Sequence, residues 1–427
     1  MTDQIPDISD LTTVARTASL SLAAATAGVK NRALEAIATA LEERSREILS
    51  ANQLDLVRGR ENDMSAGLLD RLALDQSRIT SIADSVREVA SLPDPVGEIV
   101  RGTVNELGLR IRQVRVPMGV VAVIYEARPN VTIDATVLAL KSGNAVILRG
   151  GSAAFNSNQA IITVMRDALE SVDLPADLAQ TVDHLGRPGV TALMRARGGI
   201  DVLIPRGGAG LIQAVVENSI VTVIETGTGN CHVYVDEGAD LEAAERIIMN
   251  AKTQRVGVCN AAETLLVHEA EAERFLLSAL TRLATAGVTL HLDPASAQIA
   301  RQTPSIDSDM WVEATEEDWA TEYLSMDLAV RVVPSIDEAI AHIRRYSTGH
   351  TEAICTRSLQ SANRFQTEID SAAIAVNAST RFTDGGQVGL GAEIGISTQK
   401  LHARGPMGLA ELTTTRWIIE GDGTVRP

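Results

Sequence analysis

Residues 119–151, GVVAVIYEARPNVTIDATVLALKSGNAVILRGG, contain the pattern that decides the fold. Two short apolar runs, at 120–125 and 145–148, enclose a helical segment at 131–140 that ends at residues 142–144. Continuous Val and Ile runs joined by a helix are typical of parallel strands that are covered on both faces. The stretch therefore predicts a strand–helix–strand unit of an α/β domain.

The same alternation continues toward the C-terminus. The first predicted sheet is completed by a helix to about residue 171, a strand at 201–204, a helix at 211–218 and a fourth strand at 221–225. A second α/β unit begins near Cys231, with further strand patterns at 288–292, 328–333, 352–355 and 372–376. We therefore expect two α/β domains, each built on a parallel sheet, with ligands at the carboxyl ends of the strands.

The residues before this region predict helices at 8–60 and 75–91, followed by a β-hairpin. The hairpin arms are residues 98–104 and 109–116, and the second arm alternates apolar and basic residues, as a strand with one solvated face does. A lone hairpin is marginally stable, so we expect it to pack on another element or another subunit. The run TTTRWIIE, residues 413–420, predicts a strand that pairs with the hairpin or with a neighbouring subunit.

Composition excludes several classes of protein. A chain of 427 residues is too long for a single core. Its net charge of −17 argues against nucleic acid or an anionic membrane as a partner, because phosphate contacts need clustered Lys and Arg. No apolar run approaches the roughly 20 residues that span a bilayer, and MTDQIPDISD lacks the features of a signal peptide. We therefore expect a cytoplasmic protein.

The cysteines and histidines predict neither a disulfide framework nor a metal site. The three Cys, at positions 231, 259 and 355, are odd in number and widely spaced, which fits a reducing compartment. The seven His show no ligand spacing such as HExxH. No metal is expected.

Cys259 is the candidate nucleophile and lies in the segment QRVGVCNAAET, residues 254–264. A helical pattern over 240–252 runs into a Gly-containing turn that presents the thiol, and an apolar run follows at 264–268. Backbone N–H groups left free at such a turn favour the nucleophilic thiolate. The alternative is a buried Cys that packs as a small apolar side chain.

Two Gly-containing strand ends are candidates for phosphate binding. Arg149, followed by two glycines, suits a phosphate monoester such as the 2′-phosphate of NADP, and a solvated strand-end Arg is the alternative. The second candidate opens a helix after a strand and consists of Arg206, Gly207, Gly208, Ala209 and Gly210. Its N–H groups suit a diphosphate, but it lacks the GxGxxG spacing of a Rossmann fold, so a simple tight turn is the alternative.

Two polar side chains near strand ends have both a catalytic and a structural interpretation. Glu225 ends the fourth predicted strand and suits either a general base or an acceptor of structural hydrogen bonds. Asn130 follows the first strand and can donate to a developing oxyanion together with the backbone N–H of Cys259. Asn130 equally suits the N-cap of the helix at 131–140, and its two roles are compatible.

Longer motifs connect these residues to a known family. They are IYEARPNVTID at 124–134, LKSGNAVILRGG at 140–151, NAKTQRVGVCN at 250–260, VNASTRFTDGG at 376–386 and GAEIGISTQKLHARGPM at 391–407. In order and in extent, across essentially the whole chain, they resemble the gamma-glutamyl phosphate reductases, which belong to the aldehyde dehydrogenase superfamily.

The resemblance implies an aldehyde dehydrogenase-like fold in three parts. A cofactor-binding domain would comprise residues 1–98 and 117–235, and a catalytic domain residues 236–403. A hairpin and C-terminal region, 99–116 and 404–427, would mediate assembly into a homo-oligomer.

The resemblance also implies the reaction. NADPH would reduce L-glutamyl 5-phosphate to glutamate 5-semialdehyde with release of phosphate, the second step of proline biosynthesis, through a thioester on Cys259. Because acyl phosphates hydrolyse in water, direct transfer of the substrate from glutamate 5-kinase is a further hypothesis, and the sequence leaves it open.

The resemblance further assigns roles to individual residues. Arg149 takes the place of a Lys that contacts the adenosine ribose of the cofactor, and Glu322 resembles the glutamate that holds the nicotinamide ribose. Glu225 falls at the position of the base of hydrolysing aldehyde dehydrogenases. It is followed here by Thr-Gly-Thr-Gly instead of Leu-Gly-Gly, which puts a water-activating role in doubt. Apart from the resemblance, Arg128, Arg255 and Arg381 are candidates for binding the anionic substrate, and a solvated or structural arginine is the alternative for each.

The sequence also permits two other functional interpretations. One is an aldehyde dehydrogenase that hydrolyses its thioester with Glu225 as base. The other is an inactive binding or scaffold protein with the same fold, which fold alone permits.

Overall fold

The computed structural model describes residues 5–126 and 128–426. The chain forms two compact units. The first consists of the chain up to Thr226, of Gly389–Gly395 and of the residues from Met407 onward. The second consists of Gly227–Val388 and Ile396–Pro406.

The N-terminal part of the first unit is helical, as the sequence predicts. Its helices are α1 (Ser9–Ala23), α2 (Ala27–Glu43), α3 (Ser45–Glu61), α4 (Ala66–Leu72) and α5 (Gln76–Ser91). Leu34, Ile37 and Leu41 of α2 are buried, which explains the helical period of this segment. The predicted helical region thus consists of three helices, and the short α4 was not predicted.

The predicted hairpin is present. It consists of β1 (Ile99–Val104) and β2 (Arg110–Pro117), which pair antiparallel with Thr103 opposite Ile111. Gly108 has φ +79° in the connecting turn, a conformation that favours glycine.

A four-stranded parallel sheet forms the centre of the first unit. Its elements are β3 (Val120–Tyr125), α6 (Pro129–Lys141), β4 (Ala145–Arg149), α7 (Phe155–Glu170), β5 (Ala179–Thr181), α8 (Gly186–Arg195), β6 (Val202–Arg206) and α9 (Ala209–Asn218). The strand order is β5-β4-β3-β6, and all neighbours are parallel. Every residue of β3 is buried, which confirms the predicted fully covered strand. β5 and α8 were not predicted.

The fourth predicted strand of this sheet, at 221–225, is wrong. This segment makes only an isolated bridge between Val223 and Leu203. The Leu203 N–H donates to the Thr222 carbonyl at 2.9 Å. The next donor along this edge of β6 would be residue 205, which is a proline without an N–H, so the ladder cannot continue.

The second unit contains a seven-stranded parallel sheet. Its elements are β7 (Cys231–Val235), α10 (Leu241–Thr253), β8 (Ala262–His268), α11 (Glu269–Thr285), β9 (Thr289–Leu292), α12 (Pro294–Arg301), β10 (Trp311–Glu313), β11 (Asp327–Val333), α13 (Ile336–Tyr346), β12 (Thr351–Cys355), α14 (Leu359–Glu368) and β13 (Ala373–Val376). The strand order is β10-β9-β11-β8-β7-β12-β13. Successive residues of β8 belong to different hydrophobic clusters. Leu265 is in the cluster that contains Phe275 of α11, whereas Leu266 is in the cluster that contains Phe365 of α14. Both faces of the sheet are therefore covered, as predicted.

The C-terminal residues return to the first unit after two short strands. These are β14 (Ile396–Ser397) and β15 (Gly405–Pro406), and β16 (Thr413–Glu420) follows. β16 pairs antiparallel with β2, from Thr413 opposite Pro117 to Glu420 opposite Arg110. The predicted pairing of residues 413–420 with the hairpin is confirmed, and the sheet has the order β1-β2-β16.

The fold is that of an α/β protein with two parallel sheets and a small antiparallel one. The compact units divide at Thr226, so β7 belongs to the second sheet, whereas the proposed cofactor-binding domain extends to residue 235. The three-part division by function, with its boundaries at 98, 117, 235 and 403, stays a prediction.

Candidate active site

Cys259 lies where the sequence predicts it, on a turn between α10 and β8 in the second unit. The Asp240 side chain caps α10 by accepting from the Ala243 N–H at 3.1 Å. Within the turn, the Ala261 N–H donates to the Val258 carbonyl at 3.1 Å. Cys259 is partly exposed, and Ala261 behind it is buried. The turn thus presents Cys259 on a rigid base, which argues against the interpretation as a buried core cysteine.

The backbone of Cys259 is held from one side by two residues that the sequence did not single out. A Cβ added to Gly229 would lie 1.5 Å from the Cys259 carbonyl oxygen, so only glycine fits there. The Cys231 Sγ donates to the same oxygen at 3.1 Å. Burial raises the pKa of Cys231 well above its ordinary value, so this thiol remains a neutral donor.

Asn260 joins the turn to another of the sequence motifs. Its Nδ2 donates to the Thr383 carbonyl at 2.8 Å, and the Thr380 hydroxyl donates to the Asn260 carbonyl at 2.6 Å. Both hydrogen bonds are buried, and buried hydrogen bonds of this kind hold a loop in one conformation. The motifs at 250–260 and 376–386, which are far apart in sequence, therefore meet behind Cys259.

Two of the three arginines proposed for the anionic substrate belong to this region. The Arg381 Nε donates to the Gln254 side chain at 2.8 Å. Burial lowers the pKa of Arg381, and Arg255 lowers it further, whereas Asp384 and Cys259 act in the opposite direction. Arg255 and Asp384 thus act on Arg381 in opposite directions, and both arginines lie in the same unit as Cys259. Arg128 belongs to the first unit.

Glu322 is connected to the cysteine turn through the backbone. Its Oε1 accepts a hydrogen bond from the Gly229 N–H at 2.6 Å, and Gly229 packs on the Cys259 carbonyl. Burial raises the pKa of Glu322, and the Gly229 N–H counteracts this shift. The proposed ligand of the nicotinamide ribose thus lies in the same unit as the nucleophile, and its role stays a prediction.

Arg149 retains a free donor at the end of β4. Its Nη1 donates to the Gly150 carbonyl at 2.8 Å. Among the described residues, no acceptor lies within hydrogen-bonding distance of its buried Nε. Gly150 is fixed by the Asp183 carboxylate, which accepts from its N–H at 2.6 Å. A buried guanidinium N–H without an acceptor is able to bind an anionic oxygen, and the role of Arg149 in cofactor binding stays a prediction.

At the second phosphate candidate, the Arg206 guanidinium and the Gly208 N–H both have acceptors within the protein. Arg206 donates from Nη1 to the Ile394 carbonyl at 2.5 Å, so its guanidinium holds the chain near Ile394. The Gly208 N–H, at the start of α9, donates to the Glu126 carboxylate at 3.2 Å. An anion therefore does lie at this helix N-terminus, as its dipole favours, but the anion is a side chain. A Cβ on Gly207 would come within 2.8 Å of that carboxyl group, and Gly210 faces open space.

Asn130 is not the N-cap of its helix, which corrects one of its two interpretations. α6 begins at Pro129 and its N-cap is Arg128, because proline favours the first helical position. The Asn130 Nδ2 donates to the Asp134 carboxylate at 3.1 Å. Burial raises the pKa of Asp134 to about 6, against the opposing effects of Arg206 and Asn130. The proposed oxyanion role of Asn130 stays a prediction.

Glu225 follows the isolated bridge at Val223 and is partly buried. The next residue, Thr226, donates from its hydroxyl to the Pro205 carbonyl at 2.8 Å. This arrangement fixes the backbone after Glu225, and a role for its carboxylate as a base stays a prediction.

Residues 5–126 and 128–426 contain no group of three or more His, Cys, Asp or Glu side chains placed to hold a metal ion. Over the same residues, no helix has the length and apolar character needed to cross a bilayer.

The class of protein follows from the fold, the cysteine turn and a comparison with known families. A model of the aldehyde dehydrogenase family matches residues 3–309, which is more than half of the chain. The chain therefore belongs to the aldehyde dehydrogenase family and is an oxidoreductase. An acetylating aldehyde dehydrogenase from Geobacillus thermoglucosidasius shares the fold at 18% identity, with a TM-score of 0.69 over 98% of this chain and 97% of the other.

More similar relatives identify the particular group. A gamma-glutamyl phosphate reductase from Thermobifida fusca (strain YX) is 58% identical over 426 residues, 100% of both chains. That of Kineococcus radiotolerans is 57% identical over 96% of this chain and 94% of its own. The crystal structure of gamma-glutamyl phosphate reductase from Thermotoga maritima is 48% identical, covers 99% of this chain and 100% of its own, and has a TM-score of 0.95. Within the aldehyde dehydrogenase family, the chain belongs to the gamma-glutamyl phosphate reductases, which confirms the family predicted from the motifs.

Proposed function

We propose that this protein catalyses the NADPH-dependent reduction of L-glutamyl 5-phosphate to L-glutamate 5-semialdehyde, with release of phosphate, in proline biosynthesis. The observation that carries the proposal is a partly exposed Cys259 on a hydrogen-bonded turn, in a chain that is 58% identical to a gamma-glutamyl phosphate reductase over its full length. An inactive binding or scaffold protein would have no need of such a turn. We also propose a cytoplasmic location, because the substrate is an intermediate of biosynthesis.

The first half of the reaction forms a thioester. The Cys259 thiolate attacks the acyl carbon of the acyl phosphate, and negative charge develops on the carbonyl oxygen. We propose the Cys259 N–H and the Asn130 amide as donors to this oxyanion. The bond from the acyl carbon to the phosphate oxygen then breaks, and inorganic phosphate leaves with the bonding electrons. Arg255 and Arg381 are proposed to stabilise the negative charge of the substrate.

The second half reduces the thioester. A bound NADPH would supply the hydride that the acyl carbon of the thioester accepts. The carbon–sulfur bond then breaks, the aldehyde forms and the Cys259 thiolate is regenerated. The unpartnered Arg149 Nε supports a phosphate-bearing cofactor, and we propose that Arg149 binds the 2′-phosphate and Glu322 the nicotinamide ribose. Gly207, Gly208 and Gly210 are proposed to face the diphosphate, for which the Glu126 carboxylate at Gly208 would have to move.

Water is harmful in this direction, because hydrolysis of the thioester wastes an activated substrate. A deacylating base is therefore not needed, in agreement with the altered residues that follow Glu225. The alternative hypothesis is an aldehyde dehydrogenase that hydrolyses its thioester with Glu225 as the base.

The reverse reaction separates these two readings without the unstable acyl phosphate. Glutamate 5-semialdehyde and NADP would be supplied with and without inorganic phosphate, and NADPH would be followed by absorbance. We expect NADPH to form only when phosphate is present. Equal rates without phosphate would show that water is the acceptor, and the proposal would be wrong.

Replacing the nucleophile tests the role of Cys259. We expect Cys259→Ala to abolish reduction, because no thioester can form, and to leave the affinity for NADPH largely unchanged. The control is Cys355→Ala, since Cys355 is buried in β12 and has no role in the proposed chemistry; it should retain most of the activity. Turnover by Cys259→Ala would exclude the covalent mechanism.

We further propose that the protein is a homo-oligomer and that the three-stranded sheet takes part in assembly. Several large apolar side chains of this sheet are exposed, including Val104 at 64%, Trp417 at 51% and Ile419 at 63%. Exposed apolar side chains grouped on one sheet are typical of a surface that binds a partner. Glutamate 5-kinase is proposed as a second partner, because acyl phosphates hydrolyse in water and direct transfer would protect the substrate.

A further inference from the structure

Two charged residues next to the cysteine turn have no part in the mechanism above. Lys252, in the last turn of α10, donates from its Nζ to the Glu263 carboxylate of β8 at 2.5 Å. Both side chains are fully buried. They occupy the two elements that precede and follow the Cys259 turn. A buried ion pair gains little stability over apolar side chains of similar size, so its presence here calls for another explanation.

The second carboxylate oxygen of Glu263 holds a strained residue. Its Oε1 accepts from the Leu324 N–H at 3.2 Å. Leu324 has φ +53°, in the left-handed region that is unfavourable for a branched side chain. Its side chain is 44% exposed, so packing of that side chain does not account for the conformation. Strained backbone of this kind persists where the surrounding contacts impose it, and it is concentrated at functional sites.

Lys252 supports the preceding residue. Its ammonium group lies 5.9 Å from the centre of the Tyr323 ring, within the range of a cation–π contact. The Tyr323 hydroxyl donates to the Asp318 carboxylate at 2.7 Å. The ion pair therefore contacts two consecutive residues of the segment Glu322–Leu324.

The remaining residue of this segment is Glu322, whose carboxylate accepts from the Gly229 N–H at 2.6 Å. Gly229 in turn packs on the Cys259 carbonyl. A continuous set of contacts thus runs from the ion pair through the strained segment to Glu322, and from Glu322 to the backbone of the nucleophile.

We propose that the Lys252–Glu263 ion pair is a positioning pair, which holds residues 322–324 in the strained conformation that presents the Glu322 carboxylate to the cofactor. The inference rests on the role of Glu322 in the proposed function. Burial lowers the pKa of Lys252 and raises that of Glu263 to about 7, and each partner counteracts the shift of the other. Because both side chains of the pair are fully buried, its effect on catalysis passes through Glu322.

A double-mutant cycle on NADPH affinity tests this dependence. The dissociation constant of NADPH would be measured by its fluorescence for the wild-type protein, Glu322→Gln, Glu263→Gln and the double variant. We expect each single variant to weaken binding by about tenfold, as for loss of a hydrogen bond to a charged group. The double variant should be no weaker than Glu322→Gln alone, because residues that act through one another are not additive.

Two outcomes would overturn the proposal. Independent, multiplicative effects of about a hundredfold in the double variant would show that Glu263 acts separately from Glu322. Unchanged affinity in Glu263→Gln would show that the pair does not position Glu322 at all. Steady-state kinetics give a second readout: Glu263→Gln should raise KM for NADPH more than it lowers kcat, whereas general destabilisation would lower the active fraction and with it kcat.

A second pair of variants guards against misfolding. Lys252→Met combined with Glu263→Leu replaces the ion pair by apolar side chains, which often preserves stability. A folded double variant that keeps wild-type NADPH affinity would contradict the proposal. The matched control is Lys30→Met, because Lys30 is also fully buried and pairs with Asp94 at 2.9 Å. Lys30→Met should lower the melting temperature without changing NADPH affinity. An equal loss of affinity in Lys30→Met would show that the variants of the Lys252–Glu263 pair act through general destabilisation.

The proposed function can fail separately from this inference. If the wild-type protein does not bind NADPH, the cofactor assignment is wrong. If the wild-type protein binds NADPH and the cycle is multiplicative, only the positioning role is wrong.

Discussion

At the scale of single residues, the contact between Gly229 and Cys259 is the most restrictive feature of the candidate site. An added Cβ would lie 1.5 Å from the Cys259 carbonyl oxygen and 2.7 Å from its Cα. Both neighbours are backbone atoms, which cannot rotate away as a flexible side chain can. Any other residue at this position must therefore displace the backbone of the nucleophile or the segment that precedes β7.

We expect Gly229→Ala to reduce kcat by about a hundredfold or more, because a displacement of about 1 Å in an active site has this effect. The measurement is steady-state reduction, with circular dichroism to establish that the variant is folded. Gly67→Ala is the matched control, since a Cβ there meets nothing within 4 Å. Wild-type turnover by folded Gly229→Ala would show that the turn is more adaptable than the structure indicates.

Asp134 allows a prediction about pH. Burial raises the pKa of this carboxyl group to about 6 from an ordinary value of 3.8. A raised pKa means that the folded protein holds the proton more tightly than the unfolded chain. The group therefore costs no stability below about pH 4, and its cost grows as the pH rises through about 6.

Asp134→Asn removes this cost while an amide oxygen still accepts from Asn130. We expect the variant to be more stable than the wild-type protein by about 1–2 kcal/mol at pH 8, a value reduced because the side chain is partly exposed. The two proteins should have similar stability at pH 4. Urea unfolding at both pH values measures the difference, and a gain that is larger at pH 4 would reverse the sign of the argument.

At the scale of elements, the cap of α7 shows how one helix depends on another. The residue before α7, Ala154, has no side chain that can cap. Asp55 of α3 supplies the cap instead: its carboxylate accepts from the N–H groups of Asn156 at 3.2 Å and Ser157 at 2.8 Å. The Ser157 hydroxyl donates to the same carboxylate at 2.7 Å. A negative charge at a helix N-terminus is also favoured by the helix dipole.

We expect Asp55→Ala to lower the free energy of unfolding by about 2–4 kcal/mol, because it removes a cap and leaves buried donors unsatisfied. Differential scanning calorimetry measures the effect as a lower melting temperature. Asp70→Ala is the control, since Asp70 is 72% exposed in its ion pair with Arg78 and exposed pairs contribute little. Equal effects of the two substitutions would exclude a capping role for Asp55.

At the scale of the whole molecule, the three-stranded sheet bears on assembly. β16 pairs with β2, which lies 296 to 310 residues earlier in the sequence. In the alternation of a strand, Trp417 and Ile419 point to the same face, and both are more than half exposed. Such side chains are more stable when a second surface covers them.

We expect the wild-type protein to be a dimer or larger in solution and Trp417→Glu combined with Ile419→Glu to be smaller, because two charges cannot be buried in an apolar contact. Light scattering coupled to size-exclusion chromatography measures the mass. Lys400→Glu, a charge change at an exposed position outside the sheet, is the control. An unchanged mass in the double variant would place the interface elsewhere.

The class of fold could be predicted from local patterns, because strands buried on both faces consist of continuous apolar runs, as at residues 120–125, and α2 shows the period of an amphipathic helix. The sequence also predicted the family and the candidate nucleophile Cys259, because long motifs are recognised without knowledge of three-dimensional contacts. These features are local, and each can be read from a window of residues.

Features that depend on residues far apart in the chain became apparent only in the folded structure. Residues 221–225 have the composition of a strand, yet Pro205 on the neighbouring strand has no N–H with which to pair. From the sequence, Asp55 is an ordinary helical residue, and its capping role depends on the packing of α7 against α3. Glu263 is likewise an ordinary strand residue in the sequence, and its contacts with Lys252 and Leu324 exist only in the folded chain. The physical reason is that hydrogen bonds and ion pairs are set by distances in space, which local periodicity does not encode.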